Sequence, residues 1–170
     1  MWTPDARVSL ARRVAFGANP RRTAIRIVVL AAVSFVVFRW VLIPLRTQGI
    51  SMRPTYESGQ LNFFNRLAYV RHGPRRGDVV AIRLAGPHVV YVKRVIGLPG
   101  ERLSIVEGQV YIGGAPLVEP YVRSRLPWDV PEVTLTGSEY YVIGDNRTMR
   151  AADHDFGRVD AARILGRIVF

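Results

Sequence analysis

The chain has no cysteine and only one lysine. The first absence rules out disulfides, thiol nucleophiles and Cys-ligated zinc, and it selects neither an oxidising nor a reducing compartment. The second is more informative. Of 24 basic residues, 23 are arginine and the remaining one is Lys93. Carboxylates are sparse as well: 13 Asp+Glu leave a net charge of +11. That excess suits an anionic partner, either nucleic acid or lipid headgroups. Only three histidines occur, His72, His88 and His154, and they read as surface or structural residues. What the chain has in quantity is apolar residues, 49% of 170, enough for the core of one domain with or without an appendage.

Lys93 lies in Tyr91-Val92-Lys93-Arg94-Val95-Ile96-Gly97, a β-branched run that reads as a strand. Arginine stays protonated in proteins, whereas burial lowers a lysine pKa. A lysine in an otherwise all-arginine chain is therefore the residue to use where a basic group must give up its proton. The bland alternative is drift at a position that accepts either base. The catalytic reading requires a nucleophile elsewhere.

Residues 1–26 hold six arginines and one aspartate and form a basic arm, in which Gly17, Asn19 and Pro20 break any long helix. Residues 27–45 follow as an apolar run interrupted only by Arg39. As a helix this run spans about 28 Å, close to the hydrocarbon thickness of a bilayer. Arg39 lies near its exit end, where it can snorkel, and Trp40 suits the same interface. No small-x-small cleavage site follows the run, so a removed leader is not expected. The arginines ahead of it place the N-terminus in the cytoplasm and the rest outside. The charge excess is thereby assigned to a membrane, not to nucleic acid.

Beyond it, residues 46–60 form a Gly/Pro/Ser loop and 61–70 hold a strand. Asp78–Leu84 and His88–Gly97 form a hairpin through Ala85-Gly86-Pro87, and Arg102–Val106 and Gln109–Ile112 form another through Glu107-Gly108. Residues 115–135 are irregular, Glu139–Ile143 is a strand, 148–157 is loop, and 161–170 ends in a strand. The outer part is mostly antiparallel β.

Of seven serines, Ser51 stands apart. It lies six residues past the apolar run, in Gly49-Ile50-Ser51-Met52-Arg53-Pro54-Thr55. A loop serine alone is usually a turn residue. With a lone buried lysine it becomes a candidate Ser-Lys dyad.

At these residues the chain resembles the type I signal peptidases. Gly49–Thr55 is similar to the family's nucleophile box, Arg76-Gly77-Asp78-Val79-Val80 to the next, and Tyr91–Glu101 to the lysine box. Gly144-Asp145-Asn146-Arg147 opens the last box, and Phe156-Gly157 sits where it closes. The resemblance runs from about residue 27 to the end, with four boxes in order. It implies a mainly β fold: an N-terminal transmembrane helix (27–45) after a cytoplasmic arm (1–26), then an extracytoplasmic catalytic domain (46–170) of two antiparallel sheets. It implies Ser51 as nucleophile, Lys93 as general base, and a preprotein substrate whose signal peptide ends in small residues. Ile50, Met52, Tyr56, Tyr91 and Val92 fall where the family lines its substrate pockets. Arg94, Asp145, Asn146 and Arg147 fall around the dyad. The Ser51 amide is the first oxyanion donor; Gly49 stands where some members carry a serine hydroxyl, so the second donor there is a backbone N–H or water. No metal or organic cofactor is called for.

The last box departs from the family pattern. Its serine, aspartate and arginine positions hold Arg150, Ala152 and His154. The hydroxyl that helps to orient the lysine is missing, and Thr148, Asp153 and His154 are the candidates to replace it. Three other readings compete: an impaired membrane-anchored β domain that binds exported chains, a self-cleaving repressor-type Ser-Lys protease, and a Ser-His-Asp hydrolase through His88 or His154. The repressor type requires a DNA-binding module where the apolar run stands.

Overall fold

The computed structural model describes residues 19–83, 90–154 and 157–169. The expected turn at Ala85-Gly86-Pro87, His88, Phe156 and most of the basic arm lie outside the described residues. The chain divides into two units, one up to Trp40 and one from Val41 onward.

The first unit is helix α1, Pro20–Val36, continued by a wider π-type turn at Val37–Val41. Asn19 and Pro20 start this helix instead of breaking it. Asn19 is extended, and its Oδ1 accepts the Arg22 amide at 3.4 Å, while Pro20 takes a first-turn position that needs no N–H donor. Pro20–Val41 is 22 residues, and an 18-residue stretch of it has a mean hydropathy of 2.1, so it is long and apolar enough to cross a membrane. Arg39 and Trp40 lie in the π-type turn, the guanidinium 5.9 Å from the ring centroid. The helix sits nearer the N-terminus than the 27–45 reading. Leu42–Arg46 is strand β1, because Pro44 has no amide for a helical bond and Ile43 and Leu45 pack into a core.

The second unit is antiparallel β in two sheets, as expected. Its further strands are β2 (Leu61–Asn65), β3 (Val79–Arg83), β4 (Val90–Gly97), β5 (Arg102–Val106), β6 (Gln109–Ile112), β7 (Ala115–Pro116), β8 (Val130–Thr134), β9 (Glu139–Ile143), β10 (Gly157–Asp160) and β11 (Ile164–Ile168). The larger sheet runs β1-β2-β11-β3-β4-β9-β10 and the smaller β7-β6-β5-β8. Strands β8 and β10 escape a reading by pattern. Both lie at sheet edges, where half-exposed positions dilute the apolar alternation and Pro131 is tolerated.

Alternation along the central strands builds two cores at once. Val79 and Ala81 of β3 pack with Met52, Phe64, Val92 and Ile168, while Val80 and Ile82 pack with Val95, Tyr140, Val142 and Val159. A third cluster joins the sheets, with Ile96, Tyr141 and Ile143 from the larger against Leu103, Ile105 and Val110 from the smaller. β3 and β4 are therefore covered on both sides, so a charged residue on β4 enters a desolvated place.

Candidate active site

Lys93 is that residue. It sits on β4 opposite Val80 and is 2% exposed. Arg94, its neighbour, points the other way by strand alternation and is tied down completely. Its Nε and Nη2 donate to Asp145 at 2.8 and 2.6 Å, and its Nη1 donates to the Gly77 carbonyl at 2.7 Å. Its guanidinium also stacks on Tyr121, 4.0 Å from the ring centroid. Burial pulls the Arg94 pKa down and the bonds to Asp145 more than reverse it, so this cation stays charged. Two adjacent bases thus have different fates. One is clamped in a bidentate pair that only a guanidinium can make, and the other is a buried amine.

The Ser51 loop is fixed at both ends. Thr47 donates its amide to Gln60 and accepts that of Gly59, at 3.0 and 2.7 Å. Met52 plugs the loop into the Val79/Ala81/Val92 core. The last box holds the middle. The Asn146 amide donates to the Ser51 carbonyl and its Nδ2 to the Ile50 carbonyl, each at 3.0 Å, and the Thr55 hydroxyl donates to Asp145. Gly144 makes this approach possible, since a Cβ there would stand 2.2 Å from the Ser51 carbonyl oxygen and 2.6 Å from His154 Cε1. The β4–β9 ladder pairs Arg94 with Ile143, so Gly144, which touches Ser51, follows the partner of the residue next to Lys93.

A groove of about 640 Å³ opens beside this point. Ser51, Met52, Tyr91 and Val92 line it, together with Leu45, Phe64 and Leu165 from the neighbouring strands. β9 pairs with β4 only from Arg94 onward, so Val90, Tyr91 and Val92 have no ladder partner on that side among the described residues.

The other expected site residues are less uniform. Tyr56 packs against the Met52 core, and burial raises its phenol pKa, with the Arg94 charge opposing. Ile50 is exposed, and it is Met52 that fills the apolar space. Gly49 adopts φ +88°, and its amide donates to the Ser58 hydroxyl at 3.3 Å, so it is engaged away from any oxyanion. Arg147 acts at longer range. It is buried, donates from Nε to the Gly144 carbonyl at 2.9 Å, and forks onto Glu119 at 3.2 and 2.5 Å. Tyr121 donates to the same carboxylate at 2.9 Å, and burial followed by that charge pushes its pKa up. Glu119 and Tyr121 come from the segment that reads as irregular, and nothing local in the sequence marks them. Arg150 carries its guanidinium to the surface, where Asp153 binds it at 2.7 Å. His72 is exposed and His154 buried.

The domain from Val41 onward is thus an antiparallel β protein of two sheets, with a buried lysine on a central strand. The model of the family described as signal peptidase, peptidase S26, matches residues 21–170. The chain is 31% identical to a probable signal peptidase I-2 of Synechocystis over 69% of its own length, and 34% identical to a signal peptidase I of Leptolyngbya laminosa over 70%. It is 29% identical to signal peptidase IB of Staphylococcus aureus, over 86% of this chain and 85% of that one. It spans 56% and 63% of the first two relatives' lengths. A crystal structure of a signal peptidase I from Enterococcus faecalis aligns with a TM-score of 0.47 and 27% identity, over 56% of this chain and 97% of that one. The chain belongs to the peptidase S26 family of signal peptidases.

Proposed function

We propose that this chain is a membrane-anchored serine endopeptidase that removes signal peptides from exported preproteins, with Ser51 as nucleophile and Lys93 as general base. The observation that carries the reading is the chain's single lysine, buried on β4, with the Ser51 loop bonded to the residues that follow Gly144. Burial disfavours the charged form of an amine, and a neutral amine can accept the serine proton.

In this mechanism the signal peptide enters the groove extended, adding its backbone along Val90–Val92. Met52, Tyr91 and Val92 leave room for small side chains and exclude large ones. Lys93 takes the Ser51 hydroxyl proton as Oγ attacks the scissile carbonyl. The Ser51 amide is the nearest donor for the oxyanion, and the Gly49 amide joins only if it turns from Ser58. Lys93 then protonates the leaving amine, and water activated by the same amine hydrolyses the acyl-enzyme. No step calls on a metal, a cofactor or nucleic acid.

Helix α1 holds the anchor in this reading, with its arginine-bearing first turns and the basic residues ahead of it on the cytoplasmic side and the β domain outside the inner membrane, facing the substrate. Protease added outside sealed vesicles then digests the β domain and spares the arm, and the reverse pattern rejects this orientation.

The direct test is cleavage of a preprotein by the purified chain and by Ser51→Ala. The expected result is cleavage by the wild type, none by the variant, and the same melting temperature for both. Arg150 at the lysine-orienting position favours a second reading, an impaired domain that binds exported chains. That reading gains if the wild type binds the preprotein without cutting it.

A further inference from the structure

His154 is a buried titratable group that the mechanism above leaves unused. It follows the 3₁₀ turn Ala151–Asp153 and is 5% exposed. Its ring meets Trp128 edge to face, with centroids 5.1 Å apart, and Trp128 is itself fixed by donating Nε1 to the Met149 carbonyl at 3.0 Å. Gly144 also lies against this ring. The Cβ that any other residue would carry there would fall 2.6 Å from His154 Cε1, 2.9 Å from Nε2 and 2.2 Å from the Ser51 carbonyl oxygen. The imidazole and the nucleophile's main chain therefore share the space over Gly144, and Gly144 follows Ile143, the ladder partner of Lys93's neighbour Arg94.

The other residues that could stand in for the missing hydroxyl are committed elsewhere. Arg150 and Asp153 bind each other at the surface, and the Thr148 hydroxyl donates to Asn146 Oδ1 at 2.6 Å. An arginine at position 154 would add charge without any acceptor. An imidazole in its neutral form offers one donor and one acceptor.

We infer that His154 is a positioning residue for the Ser51–Lys93 pair, its imidazole supplying the polar support that a hydroxyl at position 150 supplies in the family this chain resembles. The inference rests on the peptidase reading.

The test is cleavage kinetics on a preprotein with the full chain in detergent, comparing His154→Asn, His154→Leu and His154→Phe. Asn keeps a polar acceptor, Leu matches Asn in size, and Phe keeps the ring against Trp128. The expected result is that Asn retains most of the wild-type kcat, while Leu and Phe lose about tenfold or more, with KM unchanged. A Phe variant as fast as wild type makes the ring mere packing and overturns the proposal. Asn falling as far as Leu overturns it too, and this matched pair decides the matter should Phe fail to fold. An active wild type with an unaffected Leu variant sinks this assignment alone. A wild type without turnover sinks the peptidase reading, and this assignment with it.

Discussion

Gly144 and Ser51 touch so closely that no side chain fits between them: a Cβ on Gly144 would lie 2.2 Å from the Ser51 carbonyl oxygen. The atom in the way belongs to the backbone, so it cannot swing aside as a flexible side chain would. The last box of the sequence is thus in van der Waals contact with the first, and the loop carrying the serine is set by the strand end that Gly144 terminates.

Gly144→Ala is predicted to displace the Ser51 loop without unfolding the domain. The cores on either side of β3 do not involve Gly144, so the melting temperature changes little. A shift of about 1 Å in a reacting group costs on the order of 10²-fold in rate. We expect kcat to fall by that order in preprotein cleavage. An alanine variant with wild-type kcat means that this contact does not position the nucleophile.

Lys93→Arg keeps the charge and forbids deprotonation. If Lys93 is a general base, arginine is as damaging as methionine, about 10²–10⁴-fold in rate. If it is a structural cation, arginine serves, as it does at the 23 other basic positions. Activity also rises with pH, because only the neutral amine accepts the proton. Burial sets an upper limit to that profile. It pushes the Tyr141 phenol up to about 12 and raises Tyr56 and Tyr140 as well. The folded state then keeps protons that the unfolded chain releases near about 10. This stabilisation is complete below that value and is lost as pH climbs toward the folded values. Circular dichroism should show alkaline unfolding in that window, with a shallower decline for Tyr141→Phe. An equal slope would mean that Tyr141 is not buried in its neutral form.

Glu119→Ala strands Arg147 in the interior, where the pair is 1% and 0% exposed. Removing one partner of a buried ion pair costs about 3–5 kcal/mol, whereas replacing both by apolar residues is often neutral. Urea unfolding of Glu119→Ala and of the Glu119→Leu/Arg147→Met double variant should show that contrast. A cost below about 1 kcal/mol for the alanine, the range of exposed pairs, would mean that water reaches Arg147.

The elements legible in the sequence were those whose signal is local. The apolar run before β1 declares a helix, although Asn19 and Pro20 read as breakers when they are its cap and first turn. The β-branched runs at β3, β4, β5, β6 and β9 declare strands because both faces, or one whole face, are buried. Ser51 and Lys93 stood out by position and by composition, through a loop serine just past the apolar run and the only amine in an arginine-rich chain. Edge strands β8 and β10 carried no such pattern. Tertiary structure alone decided the partners. That Arg94 takes Asp145 and Arg147 takes Glu119 depends on contacts between residues 51 and 28 positions apart in the chain. Hydrophobic periodicity repeats over a few residues and reports burial. It carries no information about which distant carboxylate, carbonyl or imidazole will fill the space that packing leaves, and for that reason the chain by itself named Ser51 and Lys93 while only the fold brought Gly144, Glu119 and His154 to their surroundings.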